Sequence, residues 1–321
     1  MDYREQQKTP LNDFKPGQEQ FYRDVLQGLQ KQHKKLPPKY FYDERGSALY
    51  EQICTLDEYY IPQTETLIMN EHIGEIVKRL GLNVFLIEYG SGDCAKTRIL
   101  LDSMSDLAGY APIDISRDQL IRVTKELTSD YPGLYILPVC ADYTKDYSIP
   151  VPERHINRRV VYFPGSSIGN FEPEIAAGFL RHIAEVCRPG GALLIGVDLK
   201  KDSTVLYNAY NDRQGVTAAF NLNLLERINR ELQGDFQLDS FRHYAFYNPG
   251  QGRIEMHLIS LKEQAVHLDN VAIPFGCGES IHTENSYKYT LNEFADIAGT
   301  AGFNVEQVWT DKQNGLVSST W

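Results

Sequence analysis

The chain has 321 residues, 42% hydrophobic and 23% charged, which excludes wholesale disorder and leaves room for two domains or one core with a large insertion. Its 32 Lys and Arg face 43 Asp and Glu, a formal net charge of −11, and a surface that acidic repels nucleic-acid phosphates and anionic lipid. With no secretory apolar region, no apolar run of roughly 20 residues and no C-x-x-C among Cys54, Cys94, Cys140, Cys187 and Cys277, a cytoplasmic chain without membrane span, disulfide framework or zinc ribbon is expected.

Residues 1–17 read as a flexible extension. Phe21, Val25 and Leu29 then recur at spacing four, one apolar stripe on a polar helix, until Pro37 and Pro38 break it. Tyrosine is over-used, with 20 Tyr against 14 Phe and 2 Trp, and Tyr40, Tyr42, Tyr50, Tyr59 and Tyr60 crowd the next stretch. On composition alone these rings read as a satellite core.

From residue 83 short apolar runs alternate with amphipathic segments. Strands are expected over 83–89, 110–115, 134–140, 159–163 and 192–199, with helices over 95–104, 117–131 and 173–187 between them. That alternation argues an α/β fold with a parallel sheet covered on both faces, and fully apolar runs such as ALLIGV fit strands buried on both sides. After residue 198 the pattern breaks. A helix over 217–232 and two strands over 239–247 and 253–261, joined by Asn248-Pro249-Gly250-Gln251-Gly252, form another layer before α/β texture returns with a helix over 291–302 and a strand over 303–311.

The chemistry-bearing turn is Glu88-Tyr89-Gly90-Ser91-Gly92, where the first strand of the alternation gives way to a helix. Glycines there let the backbone approach a ligand. The sixth position of a dinucleotide fingerprint would be Ala95, which argues against a nicotinamide cofactor, whereas E-x-G-x-G is the turn with which class I methyltransferases hold S-adenosylmethionine. Cys94 stands where a third glycine is common. Asp114 ends the second strand, about twenty residues on, where a carboxylate can accept from ribose hydroxyls. Asp142 and Tyr143 end the third, suited to an adenine amino group and the face of a base. Lys96 opens the following helix, where the helix dipole disfavours a cation, so it is expected to reach a carboxylate such as the methionine end of the cofactor.

Beyond that turn, KYFYDERGSALYEQICTLDEYY, FPGSSIGN, YNDRQGVTAAFN, RIEM and GESIHTENSYKY together resemble the histidine Nα-methyltransferases of ergothioneine biosynthesis, from about residue 18 to the C-terminus. The resemblance implies a Rossmann-like class I core (64–198 and 289–321) with a discontinuous substrate-binding domain (18–63 and 199–288). It implies that Tyr59, Asn170 and Tyr210 hold the carboxylate and amine of histidine. Tyr42 and the backbone near Gly165 lie close to the amine, and Tyr42 and Asn170 guide its proton out. Glu284 and Ser286 grip the imidazole, while Glu284 with Met256 selects imidazole over the indole of relatives that act on a prenylated tryptophan. Two positions apart on a strand, Glu284 and Ser286 share a face, and together they can meet both ring nitrogens.

The expected activity is threefold methylation of the α-amine of L-histidine to the betaine hercynine, with S-adenosylhomocysteine as by-product. A monomer acting on this small molecule is expected, without nucleic acid, membrane or metal. Glu279, His282 and Glu284 invite a metal reading, but a third strong ligand is lacking. The alternatives are an N-methyltransferase for a tryptophan derivative and a catalytically silent binding protein.

Overall fold

The computed structural model describes residues 11–311 and 316–320. Strand β1 (Asn12–Phe14) precedes helix α1 (Gln18–Leu29), whose Phe21, Val25 and Leu29 are buried as their spacing predicts. After the short strand β2 (Lys34–Lys35) and a 3-10 turn over Pro38–Phe41 comes helix α2 (Glu44–Ile53), capped by the Asp43 carboxylate, which accepts from the Gly46 amide at 2.7 Å. Helix α3 (Ile61–Leu80) starts with Pro62 in its first turn and buries Ile61, Glu65, Ile68, Met69, Ile76 and Leu80.

The alternating region follows as β3 (Val84–Tyr89), α4 (Ala95–Ser103), β4 (Gly109–Asp114), α5 (Arg117–Asp130), β5 (Val139–Ala141), β6 (Arg158–Phe163), α6 (Pro173–Cys187) and β7 (Ala192–Asp198). Every residue of β3, β4 and β7 is buried, which is what parallel strands covered on both faces require. The strand expected over 134–140 shrinks to Val139–Ala141, preceded by an isolated bridge from Ile136 to Tyr110.

The second layer contains α7 (Ser203–Ala209), α8 (Val216–Leu232), β8 (Phe241–Asn248), β9 (Arg253–Ser260), the hairpin β10 (Gln264–Leu268) and β11 (Val271–Phe275), and β12 (Ser280–Tyr287). The chain closes with α9 (Leu291–Thr300), β13 (Gln307–Thr310) and β14 (Leu316–Thr320). The main sheet has the order β1-β5-β4-β3-β6-β7-β14-β13, parallel except that β14 runs antiparallel to both of its neighbours. A second sheet, β2-β12-β9-β8, takes one strand from the N-terminal segment and three from the insertion.

Two expectations change. Part of the extension expected over 1–17 is ordered, because Asn12–Phe14 adds a parallel edge strand to β5; residues 1–10 lie outside the described residues. The expected boundary at 63/64 falls inside α3, since Pro62 begins the helix rather than ending the preceding segment. The insertion leaves and rejoins the core at one place: Leu199 and Tyr289 form a parallel bridge, Lys200 N donating to Tyr289 O at 2.9 Å and Tyr289 N to Asp198 O at 3.1 Å. Among the described residues, no helix is long and apolar enough to cross a membrane.

Candidate active site

A cavity of about 790 Å³ lies at the carboxyl ends of β3, β4, β5 and β6, lined by Gly90, Gly92, Lys96, Asp114, Asp142 and Tyr143. All six residues expected to hold the cofactor thus meet in one space. Gly90 and Gly92 have φ of +67° and +52°; an added Cβ at Gly92 would meet nothing within 4 Å, so both the conformation and the bare backbone suit close approach by a ligand. Cys94 shares the left-handed conformation, with φ +56°, which explains why glycine is common at that position. The Ser91 hydroxyl, also lining the cavity, is buried with no hydrogen-bond partner among the described residues. A glycine cradle, an unpartnered hydroxyl and two strand-end carboxylates fit an adenosyl group.

The acids around this cavity differ in state. Glu88 is fully buried and accepts from Thr97 Oγ1 at 2.6 Å and from the Tyr110 hydroxyl; burial outweighs both bonds and raises its carboxyl to about 7. Asp114 accepts the Gly92 and Ser116 amides at 2.9 and 2.8 Å, and burial raises it too. For Asp142 burial works in the same direction, but bonds from Thr144 and the Lys39 ammonium, 3.0 Å away, hold it below the ordinary carboxylate range. Tyr143 packs against Tyr89 and Phe163, with ring centroids at 5.7 and 5.8 Å.

Lys96 does reach a carboxylate, but it is that of Glu65 on α3. Glu65 is fully buried, accepts the Gly165 amide at 2.9 Å and pairs with Lys96. Gly196 on β7 makes room for it: an added Cβ would stand 2.0 Å from Glu65 Oε1.

A smaller inner pocket of about 40 Å³ shares Tyr42, Tyr50, Gly165, Ser167 and Asn170 with the outer cavity. It is also lined by Tyr59, Tyr210, Met256, Glu284 and Ser286, so every residue expected to hold an amino acid converges here from both halves of the sequence. Gly165 and Ser166 are consecutive left-handed residues after β6, a strained turn pinned by the Asp198 amide, which donates to Ser166 Oγ at 2.9 Å. Burial pushes the Tyr42 phenol well above its ordinary value, aided by the Glu284 charge, and burial also raises Tyr59 and Tyr210; all three stay protonated.

Glu284 and Met256 are register partners on β12 and β9, beside a bulge between His282 and Glu284. Burial raises the Glu284 carboxyl to about 7 against the pull of Lys288, and its side chain has no hydrogen bond among the described residues. Ser286 is bonded on its far side by Tyr210 and Lys288, both at 2.7 Å. Glu279, His282 and Glu284 do not converge, since Glu279 pairs with Lys34. His282 instead stacks on His257 with ring centroids 4.7 Å apart and meets Glu255 as well, so His282, His257 and Glu255 offer ligand atoms within 4.8 Å of one another, a grouping absent from the sequence reading because it joins two strands.

The tyrosines Tyr42 and Tyr59 therefore line a pocket while their rings also pack on the core, whereas Tyr40 packs outside the pocket, its ring centroid 4.3 Å from that of Phe21. Sequence reasoning missed Glu65, Ser91, Phe220, Asp198 and Lys288. Of these, Lys288 carried a usable signal, since it continues the alternation of Glu284 and Ser286 by two more positions.

A family model described as "Histidine-specific methyltransferase, SAM-dependent" matches residues 21–321. The chain is 41% identical over 294 residues to the histidine N-alpha-methyltransferase of Mycolicibacterium smegmatis, covering 90% of each chain. It is 39% identical over 295 residues to the protein of that name from Mycobacterium tuberculosis, covering 90% of this chain and 91% of that one. Among solved structures, the CcbJ methyltransferase from Streptomyces caelestis overlays with a TM-score of 0.46 at 12% identity, covering 78% of this chain and 88% of that one.

Proposed function

The chain belongs to the histidine-specific, S-adenosylmethionine-dependent methyltransferase family, and from that membership we propose that it transfers three methyl groups in succession to the α-amine of L-histidine, the first step of ergothioneine biosynthesis. The observation that carries this reading is Glu284: a buried carboxyl without a side-chain partner, lining with Ser286 an inner pocket that adjoins the glycine-lined cavity through Tyr42, Tyr50, Gly165, Ser167 and Asn170. An imidazole supplies what both groups lack. An indole has no second ring nitrogen for Ser286.

When bound, S-adenosylmethionine supplies a methyl group already activated by its sulfonium, leaving S-adenosylhomocysteine. Gly90, Gly92, Asp114, Asp142 and Tyr143 would hold its adenosyl part, and Lys96, shared with Glu65, faces the same cavity. What remains for the protein is alignment and proton management. Tyr42 and Asn170 stand at the junction of the two spaces, where the amine must lie to meet the methyl group. Tyr42 stays a neutral phenol, so it is no strong base; as the nitrogen gives up its proton to the phenol oxygen, the hydroxyl hydrogen of Tyr42 leaves to water, and the phenol is neutral before and after. As methyl groups accumulate the nitrogen loses its hydrogens, and retention of the intermediates falls to the carboxylate contacts of Tyr59 and Asn170 and to the ring contacts of Glu284 and Ser286.

We read the protein as a cytoplasmic monomer; its five cysteines are all free and three of them are buried, as suits a reducing compartment. Incubation with S-adenosylmethionine and a panel of amino acids, followed by mass spectrometry, tests the function. Histidine gaining three methyl masses is expected. Methylation of tryptophan derivatives instead, or no transfer at all, would replace the reading by one of its alternatives.

A further inference from the structure

Behind the inner pocket lies an ion pair that touches no solvent. Lys288, just past β12, and Asp198, at the end of β7, are both 0% exposed in their side chains and 2.8 Å apart. The bridge at Leu199 and Tyr289 brings them together. Asp198 also accepts the Tyr60 hydroxyl at 2.6 Å and pairs with Lys201. Burial alone would strip a proton from Lys288, but the Asp198 carboxylate keeps the ammonium charged.

An ammonium only donates. Lys288 Nζ gives one hydrogen to Asp198, one to Ser286 Oγ at 2.7 Å and lies 3.4 Å from the Tyr210 hydroxyl. Ser286 Oγ also accepts the Tyr210 hydroxyl hydrogen at 2.7 Å. Both lone pairs of that oxygen are then committed, and what Ser286 keeps for the pocket is its own hydrogen.

We propose that Lys288 is a positioning residue that fixes Ser286 as a hydrogen-bond donor, so that the pocket takes the histidine ring as neutral imidazole, N–H to Glu284 and lone pair to Ser286. The inference rests on the histidine reading and goes one step further, to the protonation state selected. An imidazolium presents two N–H groups, and Ser286 with both lone pairs committed accepts neither. An indole offers no lone pair, so the same polarity works against it. Tyr210, its hydrogen given to Ser286, meets the amino-acid end with an oxygen lone pair. With an uncharged residue at 288 one lone pair of Ser286 is released, and the hydroxyl can turn either way.

The test uses the whole protein with S-adenosylhomocysteine and ring-15N histidine at about pH 5.5, below the ordinary imidazole value of about 6.5. The expected spectrum of the bound ring has one protonated nitrogen and one bearing a lone pair; two protonated nitrogens would overturn the proposal. Lys288→Met should raise KM for histidine by about tenfold or more, with kcat and cofactor affinity within about threefold, and should blur the ring signature. A folded Lys288→Met protein with unaltered KM and ring spectrum would also overturn it. Should that variant fail to fold, Lys288→Met with Asp198→Asn removes both charges together and is judged by the same outcomes, while the wild-type spectrum decides regardless. Absence of any histidine binding to the wild-type complex would remove the functional reading itself, a result distinct from binding as imidazolium.

Discussion

At the scale of single residues, Glu284 concentrates both affinity and selectivity. Removing the partner of a buried, hydrogen-bonded polar group costs about 1.5–3 kcal/mol when charge is involved. Glu284→Ala is therefore expected to weaken histidine binding by roughly 10- to 150-fold while leaving S-adenosylmethionine affinity nearly unchanged, since Glu284 lines only the inner pocket. Calorimetry with each ligand separately checks this, and equal histidine affinity in both proteins would take Glu284 off the ring. The residues of the inner pocket were legible in the sequence because their motifs are short and unusual: FPGSSIGN carries Gly165 and Asn170, and GESIHTENSYKY carries Glu284 and Ser286. Lys288 lies in that same string and went unread. A lysine near a strand end ordinarily faces water, and its partner Asp198 is 90 positions away in the chain, joined to it only by the folding back of the insertion.

At the scale of elements, legibility followed burial. Strands β3, β4 and β7 announced themselves as unbroken apolar runs because both of their faces are covered. Helix α3 did not, because the exposed Leu67 blurs its apolar face and one of its buried positions is Glu65, which the tertiary partners Lys96 and Gly165 make tolerable. The hairpin of β10 and β11 was missed for a similar reason, since its exposed Ala265, Ala272 and Pro274 dilute the strand signal. The packing of α3 on β7 gives a sharp expectation. In Gly196→Ala the new methyl group would enter the space of the Glu65 carboxylate, which is fully buried and has nowhere to swing. A loss of about 1–3 kcal/mol is expected from overpacking, read by urea denaturation, together with weakened cofactor binding as Lys96 loses its fixed partner. Unchanged stability and affinity would show that Glu65 has room the geometry does not reveal.

At the scale of the whole molecule, two buried carboxyls shape the response to pH. Glu88 and Glu284 both keep their proton up to about pH 7 in the folded chain, against an ordinary value of 4.5. Between those values each of these two carboxyls binds more protons in the folded state than in the unfolded one, so its contribution to stability falls as pH rises through that window and levels off above it, while His243, His257 and His282, held below their ordinary value by burial, act in the opposite sense. Each carboxyl accounts for up to roughly 3 kcal/mol of that fall. Chemical denaturation of the ligand-free protein at pH 5 and pH 8 should show that Glu88→Gln and Glu284→Gln each shift the change in stability between the two pH values toward a smaller loss or a larger gain; a change unaffected by both substitutions would mean that neither carboxyl is protonated in the fold.

The bridge between Leu199 and Tyr289 has a consequence for exchange of parts. Because the inserted segment departs and returns at adjacent points, a foreign segment of any length could be grafted there without stretching the main sheet, and its loop-closure cost would grow only slowly with length. Yet β12, the strand that carries Glu284 and Ser286, is covered on its outer edge by Lys34 and Lys35 from the opposite end of the chain. A transplant of 199–289 alone would strand Ile281 and His282 without their neighbours. The portable unit is thus two pieces of polypeptide, and a chimaera that borrows a new ring-binding specificity must borrow the N-terminal segment with it.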